Sequence, residues 1–347
     1  MTPRERVLAV LNGQPVDKVP LTIYENKIPQ CAVERRLRNE GLCIVHRRVE
    51  AYTMETPNCR THTAGYTEGG HHRTRTFIET PQGTLTSLSQ AAGFTSWTLE
   101  HLFKTPDDYR PLKAMVRDFV VRPDYEAFVR AQAWMGEDVI LRAGVGSTPL
   151  HEIMIHWMGV ETFAVEWIEN RDEILELERL LADLRRRTAV VLAQAPITHA
   201  NFGGNEVPEV MGVPRYEQYC LPLINECAGI LAKKGKLLGS HMDGNNRAWA
   251  SQLAASGLRY IEAFTPAPDT DLTMAEAPAA WPDKVLWINF PSSVHLASIE
   301  VIRRTTREIL DAAAGTNRLI LGITEDIPPD RWQQNLLAIS EVINHHR

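Results

Sequence analysis

PRYEQYCLPLINECAGILAKKGKLLGSHMDG, residues 214–244, holds the alternation on which the fold turns. Its first part, 214–235, carries apolar residues at helical spacing and stops at Gly235, a C-cap signal. Its second part, KLLGSHMDG (236–244), is a short apolar run ending in polar residues. Runs of that kind suit strands covered on both faces. The pattern recurs in both directions along the chain, at VPLTIY (19–24), DVILRAGVG (138–146), APITHANFGG (195–204), RYIEAFTP (259–266), KVLWINF (284–290) and RLILGITED (318–326). Helical stretches lie between them. Residues 159–194 read as two helices meeting near Asn170–Asp172, 298–314 as one, and 329–344 as one that opens with Pro329.

Repeated strand–helix alternation implies a parallel sheet, and seven or eight units favour a closed α/β (β/α)8 TIM barrel. The rival open sheet lacks its GxGxxG phosphate loop here. One segment departs from the pattern. RTRTFIETPQGTLTSLSQ (73–90) alternates with period two around Gly83, the mark of a hairpin. With HTAGYTEGGHH before it, residues 60–90 read as a β-hairpin insertion after the first strand, placed where barrels carry lids and substrate loops. No repeat, low-complexity tract or flexible linker divides the chain, so residues 1–347 read as a single barrel domain.

The 347 residues are 44% apolar and 23% charged, with 37 Lys and Arg against 43 Asp and Glu and a formal charge of −6. That balance excludes a global cationic field for nucleic acid or anionic lipid. No apolar run approaches the ~20 residues of a membrane span. The opening MTPRERVLAVLNG carries charges where a signal peptide needs an apolar stretch, so the expected location is cytoplasmic. Cys31, Cys43, Cys59, Cys220 and Cys227 are odd in number and form no CxxC pair. They point to reduced thiols and remove zinc-ribbon and iron–sulfur sites.

In a barrel, chemistry sits just past the C-terminal ends of the strands. Those positions hold Glu25, Asn26 and Lys27; Ser147 and Thr148; Asn201, Asn205 and Glu206; His241, Asp243, Asn245 and Asn246; Glu262 and Thr265; Asn289; and Thr324, Glu325 and Asp326. Asn and Asp also serve as caps and turn residues, a role that fits Asn246 and Asp326 best. Convergence of so many polar groups on one mouth is not required for stability. His241, two residues before Asp243 at a strand end, suits a ligand, a proton donor or a substrate anchor. His71–His72 and His345–His346 read as solvated pairs. His151 and His156 lie in HEIMIHWMG, ordered H-E-x-x-x-H and not H-E-x-x-H, so their rings are not expected to meet on one helical face. Asp269 and Asp271 read as surface residues of a rigid loop.

At these residues the chain resembles the uroporphyrinogen decarboxylase superfamily, which includes the barrel methyltransferases of one-carbon metabolism. The resemblance runs through RERVLAVLNGQPVDKVPL (4–21), GVETFAVEWIENRDEILEL (159–177), KKGKLLGSHMDGN (233–245) and LILGITEDIPPDRWQQNL (319–336), in the family's order. It implies a (β/α)8 barrel with its site at the strand C-termini. The decarboxylases' R-Q-A-G-R motif is replaced by YENKIPQ (24–30), and Glu25 would repel a polycarboxylate. The thiol-methylating branch has a His-x-Cys and a later Cys that hold zinc. Here the first reads His241-Met242-Asp243 and the second falls on Glu325. A thiolate-type zinc site is therefore absent, and a divalent ion on the remaining His/Asp/Glu set stays open.

The resemblance then implies a methyltransferase, a demethylase that moves a methyl group from a small methylated compound (methoxy, methyl halide or similar). The acceptor is tetrahydrofolate or a corrinoid protein. The corrinoid would come on a separate protein, since no Asp-x-His-x-x-Gly loop is present. Asn201, Asn205, Glu206, Asp243 and Asn289 are expected at the pterin or substrate, with His241, Asp243 and Glu325 near the reacting centre and His241 as proton donor. A decarboxylase or lyase for a small carboxylate, and a non-catalytic barrel binding a pterin or tetrapyrrole, are the alternatives. Pairing common in the family leaves scope for a homodimer.

Overall fold

The computed structural model describes residues 1–93 and 95–346. In chain order its strands are β1 (Leu21–Tyr24), β2 (Leu42–His46), β3 (Tyr52–Glu55), β4 (Arg60–Glu68), β5 (His71–Thr80), β6 (Gly83–Ala92), β7 (Thr95–Glu100), β8 (Val120–Pro123), β9 (Val139–Leu141), β10 (Ala143–Ser147), β11 (His199–Gly203), β12 (Leu237–His241), β13 (Tyr260–Phe264), β14 (Val285–Asn289) and β15 (Leu319–Ile323). Two compact units emerge. One is made of Met1–Ala51, Asp124–Gly146 and the chain from Leu192 onward, the other of Tyr52–Pro123 and Ser147–Val191.

The first unit is the barrel. Its nine strands follow the order β10-β11-β12-β13-β14-β15-β1-β2-β9. The two end strands, β9 and β10, are consecutive in the chain and separated only by Arg142, so the sheet returns on itself. Counted as one interrupted strand, they complete the eight of a (β/α)8 barrel. Paired strands run parallel and are buried along most of their length, as their apolar runs require. The helices Ala32–Asn39, Leu221–Ala232, Ile299–Ala312 and Trp332–His345 alternate with them.

The expected helix boundary near Asn170 is present, between Val160–Glu169 and Arg171–Gln194. Two local differences have simple causes. The last helix begins at Trp332 and not at Pro329, because the amides of Arg331 and Trp332 both bond to the Pro328 carbonyl in a preceding turn. The strand β2, LCIVH, does not stand out in the sequence. It follows the helix Ala32–Asn39 after only two residues and is too short for its period to register. The antiparallel segment therefore enters after β2, the second barrel strand.

At the N-terminal end of the barrel, the helix Pro3–Leu11 places Val7, Val10 and Leu11 in one cluster with Tyr260, Val285, Trp287 and Ile320. A capping box starts this helix: the Glu5 amide bonds to Thr2 Oγ1, and the Thr2 amide to the Glu5 carboxylate. The plug is apolar, so polar chemistry is left to the other end. Within the lumen Tyr260 lies flat over Gly239 and donates its hydroxyl to the Ala200 carbonyl at 2.8 Å. A Cβ on Gly239 would stand 2.0 Å from the ring. Gly239→Ala is thus expected to destabilise the chain by about 1–3 kcal/mol or more, through forced overpacking, which a urea titration against the parent chain would register.

The second unit contains a four-stranded antiparallel sheet, β4-β5-β6-β7, and the pair β3–β8. The alternating stretch 73–90 forms the expected hairpin, β5–β6, closing at Thr80↔Gly83, and β4 and β7 extend it on both sides. Helical packing in this unit is fastened by Tyr109, whose hydroxyl donates to Glu166 at 2.7 Å, and by Lys113, within 2.6 Å of both Glu173 and Glu176. Among the described residues, no helix is long and apolar enough to cross a membrane.

Candidate functional site

Glu262 is the centre of the polar cluster in the barrel. It sits in the middle of β13 and is fully buried. The strand's pairing with β14 shifts register between Glu262 and Phe264, and the intervening Ala263 has φ 60°, a left-handed conformation rarely held by a residue with a Cβ. Such a bulge re-aims the neighbouring side chain, and local strain of this kind gathers at functional sites.

Three other strands and the β9–β10 junction deliver the partners. Arg142, between β9 and β10, puts Nη1 2.7 Å from Glu262 Oε1. Tyr24, the last residue of β1, donates its hydroxyl to the same oxygen and accepts from Arg142 at 3.3 Å. His241, the last residue of β12, places Nδ1 2.7 Å from Glu262 Oε2, and Asn201 Nδ2 of β11 reaches that oxygen at 3.5 Å. On its far side His241 Nε2 faces Asp243 Oδ2 at 3.5 Å. The Arg47 guanidinium stacks on the Tyr24 ring, 3.5 Å from its centroid, and bonds to Glu25 and Asn26.

The charges follow from this geometry. Burial opposes ionisation of Glu262, but Arg142 and then His241 outweigh it and hold its carboxyl down to about 2. Burial likewise opposes a charged His241, yet Glu262, with Asp243, raises it to about 9. At neutral pH the ring is an imidazolium with both N–H groups turned to carboxylates. Tyr24 is kept as a neutral phenol by burial and by the adjacent Glu262. The result is a fixed Arg⁺–Glu⁻–His⁺ array whose outer N–H, on Nε2, faces the strand-end side of the barrel.

The expected site residues divide. Asp243 stands beside His241, and Glu325, exposed just past β15, has its carboxyl raised by partial burial, with Asp243 adding to the effect and Lys27 opposing it. Asn201 is buried next to Glu262, with Oδ1 unpartnered. Glu206 is buried after β11, and a Cβ on Gly204 would lie 2.7 Å from its carboxylate. Asn205 is exposed beside it. Asn289 has both ends engaged in the barrel wall: Nδ2 donates to Thr265 Oγ1 at 3.3 Å, and Oδ1 accepts from the Thr324 amide at 2.9 Å.

Asn245 clamps two loops, donating to Glu209 and accepting from the Asp271 amide, and Asn246 braces its own turn through Met242, Gly244 and Trp249. Asp326 pairs with Lys27 at 2.7 Å. Asp271 and Asp269 are loop fasteners, accepting from the amides of Arg247 and Ser293 respectively. Ser147 and Thr148 belong to the other unit, where the Ser147 carbonyl accepts from Arg185. Tyr24 and Arg142 do not stand out in the sequence. An arginine inside the apolar run DVILRAGVG was the available signal, because a buried guanidinium demands a carboxylate.

Two histidine readings change. Glu152–Met158 is a π-helix, whose i→i+5 repeat brings residues five apart together, so His151 and His156 meet edge-to-face at 5.7 Å. His346 is more than solvated, with Nε2 2.9 Å from Asp311 Oδ1.

The zinc centre of the thiol-methylating enzymes does not fit these residues. None of the five cysteines is in a disulfide, and Cys43, Cys220 and Cys227 are packed away in the core. His241 has both nitrogens facing carboxylates, Nδ1 to Glu262 and Nε2 to Asp243. Among the described residues, no group of three or more His, Cys, Asp or Glu is arranged to hold a metal ion.

No protein-family model matches the chain, and no curated protein matches it. Solved structures do. A pneumococcal exo-beta-D-N-acetylglucosaminidase module, at 10% identity, aligns over 94% of this chain and 81% of its own with a TM-score of 0.39. Dispersin B, at 14% identity, aligns over 64% of this chain and 76% of its own with a TM-score of 0.31. A methyltransferase from Methanosarcina mazei aligns over 99% of this chain and 98% of its own with a TM-score of 0.62 at 15% identity. With that methyltransferase the chain shares its fold over nearly the full length of both.

Proposed function

We propose that this chain is a methyltransferase that takes a methyl group from a small methylated compound and passes it to tetrahydrofolate or to the corrinoid of a separate protein. The observation that carries the reading is His241. Two carboxylates hold it protonated at neutral pH at a strand end of the barrel. When a methyl group leaves an oxygen or nitrogen, the bonding pair stays on that atom, which then needs a proton. An imidazolium held in place can supply it from Nε2. Full-length likeness in fold to a methyltransferase supports the same reading.

The remaining roles are assigned on the same reading. Glu262, Arg142 and Tyr24 orient the imidazole and set its charge. Asn201 Oδ1, a buried acceptor with no partner, and the Glu206 carboxylate suit N–H groups of a pterin. Asn289 is assigned to the wall, since both its polar ends are used there. Asp243 and Glu325 line the donor side. Neither step uses a metal-bound thiolate, which accords with the absence of cysteine from this cluster.

Calorimetric titration of the purified, metal-free protein with tetrahydrofolate tests the acceptor. Tight binding, unchanged by added zinc and weakened by Asn201→Ala, is the expected result. Failure to bind in either state would remove the folate version and leave methyl transfer to a corrinoid, measured by methylcobalamin formation. Release of CO2 from a carboxylate substrate, with no methyl transfer, would overturn the proposal in favour of a decarboxylase.

A further inference from the structure

The strand β4 is an edge guarded only by the charges at its two ends, Arg60 and Glu68, the latter also paired with Arg73 of β5. It pairs with β5 on one side only, and all nine of its residues are exposed. Its register with β5 runs unbroken from Arg60↔Glu79 to Glu68↔His71. Natural edge strands are blunted by shortness, bulges, proline or charged side chains, lysine above all. RTHTAGYTE has no lysine or proline and is long and regular. The opposite edge differs: β7 has six residues, and its pairing with β6 shifts register between Leu88 and Ser89.

The β4 sequence is also complementary to itself. Laid antiparallel on a second copy about a two-fold axis at Ala64, Arg60 meets Glu68, Thr61 meets Thr67, and His62 meets Tyr66, each contact occurring twice. Arg60, His62, Ala64, Tyr66 and Glu68 alternate onto one face, so the ion pairs and the aromatic pairs share it. A slip of two residues either way separates both Arg60–Glu68 contacts.

We propose that β4 is the pairing edge of an isologous homodimer, joined antiparallel to the β4 of a second copy into one continuous eight-stranded sheet. Main-chain hydrogen bonds supply the adhesion and the end charges set the register. An extended strand with acidic and basic ends in this order matches the edge, and the chain carries that strand itself.

Sedimentation equilibrium of the full chain over a range of concentrations provides the test. The parent chain is expected to be a dimer. Arg60→Glu and Glu68→Arg should each weaken it about tenfold or more, because each reversal creates two like-charge contacts. Mixed in equal amounts, the two variants should regain the dimer. In the mixed pair the two reversed positions face each other with opposite charge, and the unchanged Glu68 of one chain faces the unchanged Arg60 of the other. Circular dichroism of each variant checks that the fold is intact, and recovery in the mixture requires folded chains. A monomeric parent chain, a dimer indifferent to both reversals, or a mixture that fails to recover would each overturn the proposal.

Discussion

Glu262→Gln is expected to cost about 3–5 kcal/mol of unfolding free energy. The substitution keeps the shape and most hydrogen-bonding capacity of the side chain but removes its charge. Arg142 then loses its 2.7 Å ion-pair partner in the interior and keeps only the more distant Glu50 carboxyl. Adding Arg142→Met to Glu262→Gln should recover much of the loss, since it is the unpaired charge that is costly. Denaturant titrations of both single variants and the double variant measure this directly. His241 reports on the same change. With Glu262 neutral, the main carboxylate opposing burial is Asp243, with Glu325 adding to it, so the titration of His241 should fall below about 9, as followed by proton NMR of the imidazole.

The pH dependence of stability follows with opposite signs at its two ends. Glu262 is depressed in the folded chain, so its contribution is fully present above its ordinary value of 4.5 and is lost as pH falls through about 2. His241 is raised, so its contribution is fully present below 6.5 and is lost as pH rises through about 9.

His241→Ala should reduce methyl transfer ~10²-fold or more while leaving binding of the acceptor nearly intact. The loss should fall on kcat, because a proton donor acts on the leaving atom and not on the bound pterin. In the parent chain, turnover should decline above about pH 9 as the imidazolium deprotonates. The residual activity of the variant should lack that alkaline limb. Turnover unchanged in His241→Ala would remove the residue from the chemistry.

The two substitutions separate roles that the sequence alone leaves merged. The sequence expects His241, Asp243 and Glu325 near the reacting centre and Asn201 and Asn289 at the pterin or substrate. In the fold Asn289 is sealed into the wall, Asn246 braces a turn, and His241 is suspended between two carboxylates.

Local pattern was enough for the barrel. Buried apolar runs alternating with amphipathic helices have few packing solutions, and Gly235 and Asn170 mark helix ends by backbone preferences that act within a few residues. LCIVH was missed because a five-residue run abutting a helix has no period of its own. The His151–His156 contact was missed because the expected helical period was α, while the chain adopts π there. The array at Glu262 lay beyond any local rule. Tyr24 and Glu262 are 238 residues apart, and Tyr24 and Arg142 are 118 apart. Their meeting requires the sheet to close, and closure is a property of all the strands together. Whether a strand carboxylate faces the lumen depends on register, and next to Glu262, in the middle of β13, the register is changed by the bulge at Ala263. Sequence determined which residues could carry charge at the barrel mouth; the closed sheet decided which of them share it, because charges interact through space and the chain brings them within reach only when folded.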